Sequence, residues 1–263
     1  MRDGTTVRDR RLGRLIHFDP RSLDHSIRPL LAAAGAPRRQ RSYSWALGRS
    51  GLDRAQPGTY IPLGSTGGPS GLPMDQGNEG ACTGFGWSHE LLGKPKPANP
   101  QQVTARYARE QIYWEAQKID PWPGGAYPGH EADGPFEEGS SVLAAAKVCQ
   151  GLGHFKEYRW AFGLDDLILA VGYAGPAVLG IAWYDGMYEP DAEGYIHPTG
   201  EFMGYHCIAT TAVSVRTKSF WLPNSWGDWG PQRGWCRLSF DDMDRLLHEE
   251  GEACIPIQRN LLK

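Results

Sequence analysis

The sequence predicts an α+β protein, because helix signals crowd its first half, strand signals its second, and turn formers punctuate the change between them. In the first half, Cys82–Leu92 reads CTGFGWSHELL and is followed by Gly93 and Pro95, residues that stop helices. A second helix is expected over Val103–Lys118, where Tyr107, Ile112, Tyr113 and Trp114 form an apolar stripe and Pro121 and Pro123 close it. A third fits Ser140–Gln150, with Ser140 or Ser141 as its cap and Gly151 at its end. In the second half, Ala177–Trp183, His206–Val213, Ser219–Leu222 and Gly234–Leu238 are rich in β-branched and aromatic residues. Turns such as Asp185-Gly186 and Glu193-Gly194 separate them, so they are expected to be strands.

A length of 263 residues suits one large domain or two closely packed lobes. The division expected is an arm over residues 1–58 and a domain over 59–263, with a helical lobe at about 75–165 and a β lobe at about 166–263. The hydrophobic content of 40% and charged content of 22% are ordinary for a globular protein, and no apolar run approaches the length of a membrane span. The net charge of −3 conceals an asymmetry: before residue 58 there are twelve arginines, no lysine and only five aspartates. Such an arm can touch nucleic acid or an acidic protein. A solvated or loosely packed extension with one short helix at Ile27–Ala34 is the expectation adopted, since no aromatic stacking pattern accompanies the arginines.

Cys82, Cys149, Cys207, Cys236 and Cys254 contain no CxxC pair and lack the spacing of a disulfide framework. A reducing compartment fits them, and RRLGRLI at 10–16 is not the core of a signal peptide, so a cytoplasmic or virion-associated protein is expected. Next to Cys82, the segment Asp75–Thr83, DQGNEGACT, sets the sulfur behind a glycine-containing loop at a helix start. Free backbone N–H groups and the helix dipole there favour thiolate over thiol. Gln76, six residues upstream, can aim an amide N–H where an attacked carbonyl oxygen turns negative, completing an oxyanion hole with the Cys82 N–H.

QGNEGAC at 76–82 resembles the active-site loop of papain-like cysteine peptidases. GYHCIATTAV at 204–213 is similar to that family's histidine-bearing strand, NSWGDWG at 224–230 to its asparagine motif, and the order Cys, His, Asn is also the family's. The resemblance covers roughly residues 60–257 and implies a two-lobed fold, a helical lobe packed against a β-barrel-like antiparallel lobe. It implies Cys82 as nucleophile, His206 as proton acceptor and donor, Asn224 as the residue orienting that histidine, and Gln76 in the oxyanion hole. Trp226 would shield the Asn224–His206 hydrogen bond. EEGSSVLAAAKV at 137–148 resembles the cleft wall of bacterial-type members, which makes Gly139 the expected backbone partner of an extended peptide. Tyr205 is expected to line a specificity pocket. The resemblance calls for no cofactor or metal, and for a peptide or protein substrate.

The sequence also departs from the family. Glu79 stands where secreted members carry a disulfide cysteine, Thr83 replaces the usual tryptophan, and the long charged helix of an inhibitory prosegment is missing, which argues against a zymogen. His89-Glu90 and the HEAD run at 130–133 lack the spacing of a zinc site. Two other functions are compatible with Cys then His: a catalytically silent binding or structural module, for example of a phage particle, and a thiol amidase acting on cell-wall peptide.

Overall fold

In a computed structural model, residues 9, 11–33, 43–44, 73–93, 102–122, 124–130 and 138–259 are described. The elements in chain order are α1 (Arg28–Ala33), β1 (Tyr43–Ser44), α2 (Cys82–Leu92), α3 (Ala105–Tyr107), a π-helical stretch (Ala108–Tyr113), α4 (Trp114–Ile119) and α5 (Val142–Gly151). They continue with β2 (Phe155–Trp160), α6 (Leu164–Tyr173), β3 (Ala177–Tyr184), β4 (Phe202–Thr210), β5 (Ala212–Ser214), β6 (Ser219–Pro223), β7 (Trp235–Ser239), α7 (Phe240–His248) and β8 (Glu252–Arg259).

Every residue of α2 is buried, including the polar Thr83, Ser88, His89 and Glu90, so this helix is surrounded by other elements. Two glycines allow the approach. A Cβ at Gly84 would lie 2.2 Å from the Ala108 carbonyl oxygen, and one at Gly86 would lie 3.0 Å from Cys207 Sγ on β4. The helix that faces α2 runs from α3 through the π-helical stretch into α4, which makes the expected 103–118 helix continuous but locally widened to i→i+5 bonding. Helix α5 begins as expected, with Ser141 Oγ accepting from the Ala144 N–H at 3.0 Å.

The strands form two antiparallel four-stranded sheets, ordered β1-β5-β6-β7 and β2-β8-β3-β4. No closed barrel forms among the described residues. Strand β3 is buried along its whole length and divides the two main apolar clusters. Val178 packs with Trp87 of α2, while Leu179, Ile181 and Trp183 face Phe220 and Leu238. Strands β4 and β5 are separated by Thr211 alone and belong to different sheets, so the chain passes from one sheet to the other just after His206.

Strands β2 and β8 and helices α6 and α7 are additions to the sequence expectation. Strand β2 reads FKEYRW with three half-exposed positions, and β8 contains Pro256, so neither carries a clean period-two signal. The N-terminal region departs from expectation in substance. Leu12, Ile27 and Leu31 lie in the core, with 1%, 0% and 6% of their surface exposed, so residues 11–33 are packed instead of forming a solvated arm. Most of the glycine-rich loop at 64–73 lies outside the described residues. Among those residues no helix is long and apolar enough to cross a membrane.

Three buried histidines make the fold acid-sensitive. Burial pushes His89 down from 6.5 to about 3, and His154 and His206 down to about 4. Unfolding lets them take up protons they refuse in the native state, so their contribution is complete above pH 6.5 and is lost as pH falls toward 4. Each proton adds about 1.4 kcal/mol per pH unit, giving a slope of about 4 kcal/mol per unit near pH 5. Urea midpoints measured across this range should fall steeply; a flat profile would mean that the three imidazoles are already charged in the folded protein.

Candidate active site

Cys82 is the first residue of α2, and the Ala81 cap position supplies no side-chain hydrogen bond. The first-turn N–H groups are therefore left to whatever approaches the sulfur side of the helix end. The preceding loop is held from several directions. Gly77 N–H donates to Asp75 Oδ1 at 2.8 Å, Gly80 N–H to Glu138 Oε2 at 3.2 Å, and Arg109 pairs with Glu79 at 2.5 Å. Its strongest tie reaches the segment after β6: Gln76 N–H donates to the Ser225 carbonyl at 2.8 Å, and Ser225 Oγ donates to Gln76 Oε1 at 2.5 Å. Asp75 also bridges Trp226 in antiparallel fashion.

The same segment orients His206. Asn224 Oδ1 receives the Ser225 N–H and His206 Nε2, each at 2.8 Å. Because a donor already points at that oxygen, the amide cannot reverse without opposing two donors, so Nε2 carries the imidazole proton. Nδ1 is then a bare lone pair, and it makes no hydrogen bond among the described residues. Trp226 lies 5.2 Å from the imidazole and Trp183 lies 4.9 Å from it, edge-on, walling the Asn224–His206 bond from water. The residue after His206 reaches the nucleophile candidate directly: Cys207 N–H donates to Cys82 Sγ at 3.4 Å.

The chain's own N-terminal segment fills the cleft. Arg14 N–H donates to the Tyr205 carbonyl at 3.1 Å, Leu15 N–H to the Ser140 carbonyl at 2.8 Å, and Ser140 N–H to the Gly13 carbonyl at 2.9 Å. Residues 13–15 thus lie as an added strand between the two walls, parallel to the one at Ser140. Upstream, the Arg11 carbonyl accepts from Gln76 Nε2 at 3.0 Å, and Gln76 gives its other bond to the Glu79 carbonyl at 2.7 Å. The N–H expected to serve an oxyanion is spent on the segment. The Arg11 guanidinium caps Trp226 at 4.3 Å from its ring centre, held by Asp9 at 2.7 Å.

This packing sets the charge state. Cys82 and His206 are wholly buried. Burial pushes the thiol up to about 11, against the opposing pull of the Cys207, Gly13 and Thr83 backbone N–H groups and of Arg14. Burial drives the imidazole down to about 4. In the occupied cleft both groups are neutral near pH 7.

The structure therefore brings Gln76, Cys82, His206, Asn224 and Trp226 around one cleft. Tyr205 lies at its wall, its carbonyl on Arg14 N–H and its ring 5.3 Å from the Arg14 guanidinium. Gly139 borders the segment by close approach, since a Cβ there would lie 2.3 Å from the Gly13 oxygen. Its own N–H and carbonyl go to Tyr113 and Gln117, and Ser140 makes the ladder bonds. The sequence offered Ser140 only as a possible helix cap and gave Ser225 and Trp183 no place in the site. Ser225 was legible only as part of NSWG, and the other two depend on distant partners. His89 Nε2 accepts from the Met74 N–H at 2.9 Å, and no group of three metal-ligating side chains occurs among the described residues. All five cysteines are free.

No protein-family model matches the sequence, and no curated protein is detectably similar to it in sequence. Solved structures do match. Xylellain, a cysteine protease from Xylella fastidiosa, aligns with a TM-score of 0.52 at 14% identity, over 85% of this chain and 98% of that one. Digestive procathepsin L2 proteinase from the larval midgut of Tenebrio molitor aligns with a TM-score of 0.54 at 15% identity, over 97% of this chain and 81% of that one. The fold is papain-like.

A neutral, covered sulfur is a poor nucleophile. Iodoacetamide at pH 7 should modify Cys82 at least about a hundredfold more slowly in the native protein than in urea, since a thiol at about 11 is almost wholly protonated there. Peptide mapping after timed quenches measures this, and equal rates would show that the sulfur is not held as described.

Proposed function

We propose that the chain is a cysteine-type peptidase in which Cys82 and His206 form the reacting pair. Cys82 Sγ yields its proton to His206 Nδ1, and the thiolate attacks the peptide carbonyl carbon, forming a C–S bond. The carbonyl oxygen, now negative, is received by Gln76 Nε2 and the Cys82 backbone N–H. The C–N bond breaks as His206 returns the proton to the leaving amine. A water molecule, deprotonated by the same imidazole, then hydrolyses the thioester, releasing the acid and restoring the thiol.

The observation carrying this reading is the convergence of two N–H donors on Asn224 Oδ1, which leaves Nδ1 of His206 bare beside the residue whose N–H holds Cys82 Sγ. A packing role for Asn224 would not require that tautomer. The papain-like fold of two solved proteinases adds support. For catalysis residues 11–15 must leave, since the Arg11 carbonyl takes the Gln76 donor. The chain as it stands is a latent enzyme.

A silent binding module is the second reading, favoured by the same occupied cleft. A full-length Gly13→Val variant separates the two. A Cβ at position 13 would lie 1.9 Å from the Gly80 carbonyl oxygen, so the branched side chain should drive the segment out. Hydrolysis of a peptide library should appear in that variant, disappear on adding Cys82→Ala, and fall roughly 10- to 100-fold in kcat/KM on adding Asn224→Ala, the loss expected for one orienting hydrogen bond. Alkylation of Cys82 without peptide turnover would support the silent module, and release of cell-wall fragments alone would support an amidase.

A further inference from the structure

Arg14 is buried, with 3% of its surface exposed, an unusual fate for a guanidinium unless it is paired. Its Nε and Nη2 donate to Glu252 Oε1 at 3.1 and 2.7 Å, and Nη2 also donates to the Glu250 carbonyl at 3.1 Å. The Tyr205 ring flanks the guanidinium, and the Tyr205 hydroxyl donates to the Glu250 carboxylate. Gly180 on β3 makes the room, since a Cβ there would lie 2.6 Å from Arg14 Nε and 2.9 Å from Glu252 Oε1. The pocket is thus assembled from β3, β4, β8 and the turn before β8, with the Glu252 carboxylate on the guanidinium and the exposed Glu250 carboxylate on the Tyr205 hydroxyl at its rim.

Its place matters as much as its chemistry. Arg14 follows Gly13, whose backbone N–H acts on Cys82, and Tyr205 precedes His206. Once residues 11–15 leave, the pocket opens beside the sulfur with the Glu252 carboxylate left without its cation, which favours another cation in the vacated space. Two N–H groups of one planar guanidinium meet the same carboxylate oxygen, a fit that lysine's single nitrogen cannot reproduce.

We infer that the pocket bounded by Gly180, Tyr205, Glu250 and Glu252 selects an arginine side chain in the peptide to be cleaved, and that Arg14 is its intramolecular occupant. This rests on the peptidase reading. It names the substrate class, peptides with arginine close to the scissile bond, and makes Glu252 the specificity-determining residue.

The test uses full-length Gly13→Val, with Arg14→Ala as a second release variant that empties the pocket without adding bulk. Peptides carrying a fluorogenic amine are compared with arginine or citrulline, which keeps the shape and removes the charge, at each position before the scissile bond. At one position arginine should exceed citrulline at least about tenfold in kcat/KM, the size of a charge-assisted hydrogen bond. Adding Glu252→Gln should bring that ratio to within about threefold of unity. A ratio near unity in both release variants, or one unaffected by Glu252→Gln, overturns the inference. If neither release variant cleaves any peptide, the peptidase reading falls, and the pocket is judged by calorimetry on the release variants carrying Cys82→Ala. Tighter binding of the arginine peptide than of its citrulline counterpart, lost with Glu252→Gln, supports the pocket, and equal affinities overturn it.

Discussion

The site depends on three consecutive residues, Asn224, Ser225 and Trp226, which follow β6 and lie against both the histidine strand and the cysteine loop. Asn224 fixes the His206 tautomer, Ser225 binds Gln76 through its carbonyl and its hydroxyl, and Trp226 covers the imidazole while bridging Asp75. One short backbone segment thus sets the angle of the His206 imidazole and the position of the Gln76 amide together. Groups on separate elements would otherwise drift independently, and the proposed reaction is one to which a misplacement of about 1 Å is costly.

A consequence of the same packing is that the cleft can be closed by a ligand resembling a peptide. Ser140 and the Tyr205 carbonyl offer backbone hydrogen bonds on opposite sides, which any extended chain can use. The N-terminal segment uses them in the parallel sense at Ser140, with the Gly13 N–H acting on the sulfur and the Arg11 carbonyl on Gln76 Nε2. Removing water from Cys82 and His206 also stabilises their neutral forms, so steric exclusion and the charge state both oppose the proposed chemistry.

Much of the helical and strand framework was legible in the sequence because its signals are local. Helix α2 begins and ends where its flanking residues said it would, Ser141 caps α5, and β3 to β7 follow runs of β-branched and aromatic residues. Helix α7 was missed although its signal is local: Phe240, Met243 and Leu246 form one buried stripe behind the Ser239 cap. Strand β8 was not legible, since its Pro256 argues against a strand while its pairing with both β2 and β3 overrides that preference.

By itself the sequence determined the candidate nucleophile at a helix start, the amide upstream of it and the histidine and asparagine downstream, because each sits in a motif a few residues long. Only the tertiary structure decided that residues 11–15 lie in the cleft and that Arg14 meets Glu252, 238 positions away. An arginine-rich stretch looks like a solvated one when read alone, since the cost of burying a guanidinium is offset only by a carboxylate that folding brings to it.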